Sequence, residues 1–478
     1  LSTLMNEDNA ADRVIAEIKS IVTAGRPGDR LPSVRDLMTR HRASPVTVQA
    51  AIARVAGEGL VEVRPGRGSY VAARQPIARV PDLSWQAVAL GAGRPYEELL
   101  SSLITVPRPE VLQLSSGYLD PELQPVDALG AAMARAARRP TSWGRVPVEG
   151  REELRTWFAR EAGGAFRTGD ITLCSGAQPG LATVFRGFCE PGDVVLVESP
   201  TYIGAVAAAR DAGLRVVPVP ADADGVRPDL LSAAFARTGA RMFYCQPLYA
   251  NPHGAVLSTE RRSEVFAAVR RAGAFIIEDD WARGLTVDGT EPPTLASEDV
   301  DGHVIYLRSL TKVIAPGLRV AGIGARGAAG IRLRTARTLD DFYVAGPLQE
   351  ATIDFVTSPA WRRHLRNLRT SLRSRRDALL SALATYLPDF QAKVPSGGLH
   401  VWAELPDGVD DVELTAAAAA RDVVVFPGRS WFAAEPPGAF LRLTYGGAPA
   451  HVLAEGVRRL AEVRTTSHAT ARETLPGG

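Results

Sequence analysis

Lysine is scarce in this chain. Only Lys19, Lys312 and Lys393 occur, and arginine fills the other basic positions. Lys312 stands in SLTKVIAPGLR, seven residues before Arg319. Arginine is permanently charged, whereas lysine can lose its proton and form a Schiff base with a carbonyl. By itself Lys312 could equally be a surface residue left over in an arginine-rich composition, so its company has to decide. Ser309, Thr311 and Arg319 surround it, two hydroxyls and a cation suited to a phosphate dianion. Asp279 ends the apolar run AFIIE, where an aspartate would keep a pyridine nitrogen protonated; its commoner role would be half of an exposed Asp279–Asp280 loop pair. Ser175-Gly-Ala177-Gln178 follows ITLC and opens a helix whose N–H groups could hold a phosphate, although many turns look the same. Asn251 in ANPHG could donate to a phenolate oxygen, although Asn-Pro is most often only a turn.

An amine, an acid for a ring nitrogen, a phosphate cradle and a phenolate donor are what pyridoxal phosphate requires. They serve together only if one scaffold gathers them, and open α/β sheets do so at the carboxyl ends of their strands. From about 114 to 465 short apolar runs alternate with helical segments: ITLC, VVLVES, RMFYCQ, AFIIEDD, VIYLRSL and VAGIGA. Runs apolar throughout suit strands buried between two helix layers. Each candidate group lies at or just after such a run. Beyond residue 370 a helix-rich segment, then GGLHVWAEL and FLRLTYG, indicates a smaller α+β lobe, with TAAAAAR as an alanine-rich helix. The tail from about 466, in TTSHATARETLPGG, is expected to be disordered.

The first 75 residues are organised differently. Val14, Ile18, Ile21 and Val22 fall at helical spacing in 11–24. Ser33 offers an N-cap with Asp36 three residues on, and Ser44-Pro45 starts another helix that runs to about Gly57, burying Val48, Ala51, Ile52 and Val55. LVEVRPGRGSYVAA reads as a hairpin. Three helices and a hairpin over 8–74 make a helix-turn-helix with a β wing. Thr47 and Gln49 face away from the apolar stripe of the third helix, Arg35 and Ser44 sit where the DNA backbone would pass, and Arg64 and Arg67 flank Gly66 at the wing tip. The competing reading is a small helical protein-contact module with solvated arginines. Residues 75–113, rich in Pro and Gly, read as a linker containing one short docked helix.

Composition sets limits. The 478 residues exceed one ordinary domain, and 46% hydrophobic with 23% charged residues is a globular balance with a sizeable core. The net charge of +2 does not announce nucleic acid, and residues 1–75 carry only eleven Lys+Arg against eight Asp+Glu. Placement therefore matters more than sum. Three widely spaced cysteines argue against a disulfide framework and for a reducing compartment. With no long apolar run and no signal-peptide pattern, a cytoplasmic location is expected and a membrane partner is not.

DRLPSVRDL followed by SPVTVQAAIARVAGEGLVEVRPGRGSYV closely resembles the GntR-type winged-helix regulators over residues 11–72. The resemblance implies DNA contact at Arg35, Ser44, Thr47, Gln49 and Gly66. Pro45 departs from the polar or basic residue common in relatives. The segment from about 112 to 465 resembles a fold-type I aminotransferase, and the whole chain resembles the MocR-type subfamily of GntR regulators. The implied fold is α/β: an N-terminal winged helix-turn-helix, then a pyridoxal-phosphate aminotransferase domain with a mainly parallel central sheet and a smaller α+β C-terminal lobe. Lys312 matches the cofactor-anchoring lysine of S-x-[ST]-K-x-x-x-P-G-x-R, Asp279 the pyridinium partner and Asn251 the phenolate donor. Ala177, Gln178, Ser309, Thr311 and Arg319 match the phosphate site, Tyr202 the ring-stacking aromatic, and Arg442 the arginine that takes a substrate carboxylate. Ser199–Pro200 and Asn251–Pro252 match positions that are often cis. Two departures stand out: Trp281 replaces a tyrosine that reaches the phenolate oxygen, and Trp143 replaces one that reaches the partner subunit's phosphate. No metal site is implied. The resemblance implies a homodimeric regulator of a double-stranded DNA operator, with pyridoxal 5'-phosphate and a small amino compound as effectors. The alternatives are a working aminotransferase carrying a DNA-binding domain, and a regulator whose second domain only dimerises.

Overall fold

The computed structural model describes residues 2–73, 82–91, 108 and 110–473. They belong to two compact units, Leu1–Arg94 and Pro95–Gly478.

In the first unit α1 (Ser2–Ala24), α2 (Val34–His41) and α3 (Pro45–Gly57) precede a hairpin of β1 (Val61–Arg64) and β2 (Gly68–Val71). The helix starts follow the capping chemistry of the sequence. Ser33 Oγ accepts the Asp36 N–H, and the Asp36 carboxylate accepts the Ser33 N–H in return. Ser44 Oγ accepts the Thr47 N–H, with Pro45 in the first turn where its missing donor costs nothing. Val14, Ile18, Leu37, Val48, Ile52, Val55, Val61 and Val71 close one core. α1 begins at Ser2, well ahead of the apolar periodicity that starts near residue 11.

Of the expected linker, residues 75–81, 92–107 and 109 lie outside the described residues. Trp85–Leu90 is helical, with Trp85, Val88 and Leu90 exposed. The linker ends sooner than expected, because β3 (Leu112–Gln113) already pairs in parallel with Val423–Val424 of the second unit.

The second unit is built on a sheet of β4 (Ile171–Cys174), β5 (Val194–Ser199), β6 (Arg215–Asp222), β7 (Gly225–Val226), β8 (Met242–Cys245), β9 (Phe275–Asp279), β10 (Val304–Ser309) and β11 (Ala321–Gly324). Their order is β4-β11-β10-β9-β8-β5-β6-β7. The run from β10 to β6 is parallel; β11 is antiparallel to both its neighbours. The six apolar runs of the sequence are all strands here. β6 was not legible because Pro218 and Pro220 interrupt its apolar pattern. It tolerates them because β7 covers only its last two residues, leaving most of that flank unpaired.

The smaller lobe has β12 (Gln391–Ala392), β13 (His400–Glu404), β14 (Val423–Val424), β15 (Phe426–Pro427) and β16 (Phe440–Thr444). β12, β13, β16 and β15 form an antiparallel sheet, backed by helices Pro359–Tyr386 and Ala450–Glu473. That last helix corrects the expected disordered tail from residue 466. Its first turns are anchored through Leu453, Val457 and Leu460, and once nucleated a helix propagates cheaply through alanine and arginine. Residues 474–478 lie outside the described residues. Among the described residues no helix is long and apolar enough to cross a membrane, and Cys174, Cys189 and Cys245 are free thiols.

Candidate functional site

β4, β5, β8, β9 and β10 present their carboxyl ends on one side of the sheet, and the candidate residues meet there. Asp279 ends β9 and is buried. Its Oδ2 accepts hydrogen bonds from the Tyr244 hydroxyl at 2.7 Å and Gln246 Nε2 at 2.8 Å. Its Oδ1 is buried with no partner. Burial raises the carboxyl pKa to about 6 against those two hydrogen bonds, and nearby Asp280 adds to the rise. The exposed loop pair does not occur, since Asp280 is buried as well and bonded to Arg283 and Tyr306.

Lys312 follows β10 and is half-buried. Burial lowers its pKa to about 7, helped by Arg442 and Arg319 and opposed by Asp279. Its Nζ lies 3.7 Å from the centroid of the Tyr118 ring. A neutral amine is thus accessible near neutral pH, which arginine could not supply.

The phosphate-binding candidates form a cradle. Gly176, at φ 119°, turns the chain from β4 into helix Ala177–Phe188, so the first helical N–H groups point outward. Arg319 crosses this turn, its Nη2 donating to Ser175 O at 2.7 Å and its Nη1 to Thr311 Oγ1 at 3.4 Å. The Ser309 hydroxyl donates to Thr311 Oγ1 at 2.9 Å. Gln178 is turned away by its side chain: Nε2 donates to Gly204 O and Oε1 accepts from the Tyr202 hydroxyl at 3.2 Å. The Gln178 side chain therefore positions Tyr202.

Asn251 donates its backbone N–H to Gln246 Oε1 at 2.9 Å, and its Oδ1 accepts from Arg442 Nη1 at 3.2 Å. Ser199–Pro200 and Asn251–Pro252 are both cis. Arg442, on β16, is buried against the Trp431 ring at 4.2 Å and donates through Nη2 to Ser115 O at 2.6 Å, while its Nε has no partner. Burial lowers its pKa to about 9, so it stays cationic at neutral pH. Trp281 is buried and stacked on His400, centroids 5.7 Å apart, with its Nε1 unpartnered. Trp143 sits apart: it is exposed, and its Nε1–H is already donated to Ala137 O at 2.9 Å.

Three residues here were not singled out from the sequence. The Gln246 side chain donates to Asp279 and accepts the Asn251 backbone N–H, while its own backbone N–H donates to the Glu198 carboxylate, so one residue ties three others together. Tyr244 holds Asp279, and Tyr118 covers Lys312. Only Gln246 left a signal, a polar residue directly after a buried strand.

In the first unit Gln49, Arg35 and Arg67 are exposed and Thr47 and Ser44 partly so. Gly66 has φ 74°, a left-handed turn suited to glycine. Arg64 differs from expectation: it makes a two-pronged ion pair with Glu62, at 3.1 and 3.0 Å, and stacks 4.7 Å from the Tyr70 ring. Residues i and i+2 of a strand share a face, which is why the pair forms. Val46, 75% exposed at the start of α3, is an apolar residue the sequence reading passed over.

Among known proteins, the family of bacterial regulatory proteins, gntR family, matches residues 7–71, and aminotransferase class I and II matches residues 109–460. The chain belongs to the MocR-type GntR regulators. The HTH-type regulator YisV of Bacillus subtilis is 28% identical over 91% of each chain. The vitamin B6 salvage pathway transcriptional repressor PtsJ of Salmonella typhimurium is 28% identical over 84% of this chain and 86% of its own. The structure of LysN, an α-aminoadipate aminotransferase from Thermus thermophilus complexed with N-(5'-phosphopyridoxyl)-L-leucine, superposes with TM-score 0.73 at 29% identity, covering 80% of this chain and 98% of that one. The MocR-type site is the pyridoxal phosphate site of the aminotransferase fold. Its residues fit: the bare Asp279 Oδ1 can take a ring N–H, Lys312 offers an amine, and the Arg319 cradle accommodates a dianion.

Proposed function

We propose that this regulator binds a double-stranded DNA operator through its winged helix, as a homodimer on paired half-sites, and that pyridoxal 5'-phosphate with an amino compound is its effector. The observation that carries the reading is the conjunction of a DNA-contact module and a site whose unpartnered buried groups match one cofactor. The relative named for vitamin B6 salvage repression supports it. When bound, the cofactor supplies an electrophilic carbonyl toward amines. Lys312 supplies the anchoring amine, Asp279 holds the ring nitrogen's proton at Oδ1, and Asn251 donates to the phenolate oxygen. Ala177, Ser309, Thr311 and Arg319 hold the phosphate, with Tyr202 stacking on the ring. Trp281 lines the site wall against His400, and Arg442 takes a carboxylate. On DNA, Arg35, Ser44, Arg64 and Arg67 serve the backbone, Thr47 and Gln49 read base edges, Gly66 allows close approach, and Val46 is shaped for a thymine methyl. The regulatory step is a population shift: occupancy favours one arrangement of the DNA modules.

Fluorescence anisotropy on duplexes tiling the DNA upstream of the regulator's own gene tests this, with and without pyridoxal phosphate and with Lys312→Ala. Binding that ignores both the cofactor and the substitution refutes the sensing role. A second reading, a working transaminase, is favoured by the intact Lys312–Arg442 pair. Stopped-flow mixing with amino acids would then convert the cofactor's absorbance within seconds.

A further inference from the structure

The segment entering the second unit bridges over the site. Leu112 and Leu114 donate backbone N–H groups to Asp422 O and Val424 O, at 2.8 and 2.9 Å, and Asp120 donates to Gly446 O at 2.8 Å. Between these anchors the chain makes an arch, Ser115–Tyr118. Within it the Tyr118 N–H bonds only locally, to Ser116 Oγ at 3.1 Å. Two ties bind the arch to the site. Arg442 Nη2 donates to Ser115 O at 2.6 Å, and the Tyr118 ring lies 3.7 Å from Lys312 Nζ. A Cβ on Gly117 would stand 3.5 Å from the same Nζ, so the arch is in contact with the amine.

We propose that Ser115–Tyr118 is the ligand-responsive part of the site, displaced when an α-amino acid binds, with Tyr118 as the contact that registers the exchange. The proposal rests on the reading of the site as amine-binding and adds how occupancy is registered. Capturing a carboxylate two-pronged takes two parallel N–H groups of the Arg442 fork. Nη1 gives one of its two N–H groups to Asn251 Oδ1 and Nη2 one of its two to Ser115 O, while Nε gives none. The bond to Ser115 O has charge on the guanidinium alone, whereas a carboxylate adds the opposite charge and offers two oxygens to the fork. The carboxylate therefore wins over Ser115 O. The second tie depends on charge at Lys312, since a ring face attracts a cation and not a neutral nitrogen. Both ties act on one stretch, and that stretch follows the linker from the winged helix with only β3 between. Loading the site thus loosens the first segment of the unit, whereas an amine without a carboxylate leaves the Arg442 tie in place.

Hydrogen exchange by mass spectrometry on the full chain carrying pyridoxal phosphate tests this, over peptides covering residues 112–120. The probes are L-alanine, L-aspartate and L-phenylalanine, with methylamine as the amine lacking a carboxylate and cofactor absorbance recorded in parallel. The expected result is about tenfold faster exchange with an amino acid that alters the absorbance, roughly 1.4 kcal/mol of lost local protection. Methylamine is expected to alter absorbance with a smaller rise in exchange than the amino acid gives, because the Arg442 tie to Ser115 O stays in place. Tyr118→Phe should keep the wild-type response, and Tyr118→Leu should exchange faster before any amine is added. An amino acid that changes the absorbance and leaves exchange over 112–120 unchanged overturns the proposal. Absorbance that responds to none of the amines overturns the amine-binding reading, and the proposal with it.

Discussion

Asp279→Asn separates what the carboxylate does in the cofactor-free protein from what it does for the cofactor. In the cofactor-free protein burial holds the Asp279 pKa at about 6 against an ordinary value of 3.8. The folded state therefore binds more protons than the unfolded one between those values. Its contribution to stability falls as pH rises through that window, and the cost is complete above about pH 6. A rise from 3.8 to about 6 corresponds to roughly 3 kcal/mol at pH 8, and about half of that at pH 5 where the carboxyl is largely protonated. Asparagine has no such titration. Its amide oxygen can keep the bonds from Tyr244 and Gln246, while its NH2 would be buried bare at the Oδ1 position, a penalty independent of pH. The stability of the variant relative to wild type should thus rise by roughly 1–2 kcal/mol from pH 5 to pH 8, whatever the constant offset. Urea unfolding followed by tryptophan fluorescence measures it. Of the seven tryptophans only Trp85 lies in the first unit, so the signal reports the second. Cofactor affinity should move oppositely, falling roughly 30- to 150-fold with loss of the charge-assisted acceptor, about 2–3 kcal/mol. A stability difference that is flat in pH, or an unchanged affinity, refutes the reasoning.

Lys312, with its pKa lowered to about 7, should react with pyridoxal phosphate at a rate that climbs with pH and levels off above 7; borohydride trapping and peptide mapping across pH 5–9 would detect a climb continuing toward 10 instead. Gly176→Ala puts a Cβ 2.4 Å from Arg319 Nη2 at φ 119°, so cofactor affinity should fall at least about tenfold by absorbance titration, with roughly 1–3 kcal/mol of strain. Gln246→Leu removes the side-chain donor to Asp279 and the acceptor for Asn251, and should cost about 2–4 kcal/mol in urea unfolding together with weakened cofactor binding. Arg67→Ala should lower the slope of log affinity against log salt by about one on DNA. Arg64→Ala should lower it less, because Arg64 is already committed to Glu62.

The strand ends were legible because a buried parallel strand must be apolar throughout and the first polar residue after it must face the sheet's open end. That pattern pointed to Asp279, Ser309 and the Ser175 turn with no knowledge of their contacts, but after β8 the residue it names is Gln246, which was passed over for Asn251 five residues on. Caps were equally legible at Ser33 and Ser44, since hydroxyls bonding N–H groups three residues on act locally. What failed to show was long-range or carried by backbone. The Ser115 carbonyl leaves no mark in a side-chain reading, and its partner Arg442 is 327 residues away. Tyr118 meets Lys312 only because β3 threads beside β14 and delivers its chain over the cleft. The single oxygen of Asp279 left bare is a property of three side chains at once, and no one of them declares it.

The unpartnered buried atoms bear on why such a site suits sensing. Folded proteins rarely leave buried polar atoms unpaired, yet Asp279 Oδ1, Trp281 Nε1, His400 Nδ1 and Arg442 Nε are all so placed. They belong to one neighbourhood. His400 stacks on Trp281 and is driven well below its usual pKa by burial and by the charges of Arg442 and Lys312. Lys312 and Asp279 are displaced in opposite directions, each toward its neutral form. These costs fall together on the cofactor-free state, and a ligand supplying a ring N–H, a carbonyl and a carboxylate offsets several at once. Binding to the folded state alone stabilises it by about 2.7 kcal/mol at a hundred times Kd. A differential of that size between two arrangements changes their ratio about a hundredfold. Turnover would require the same groups to be satisfied only in passing. Sensing requires only that they be satisfied unequally in two states, and the indole of Trp281, which donates one N–H and accepts none, meets the second demand more readily than the first.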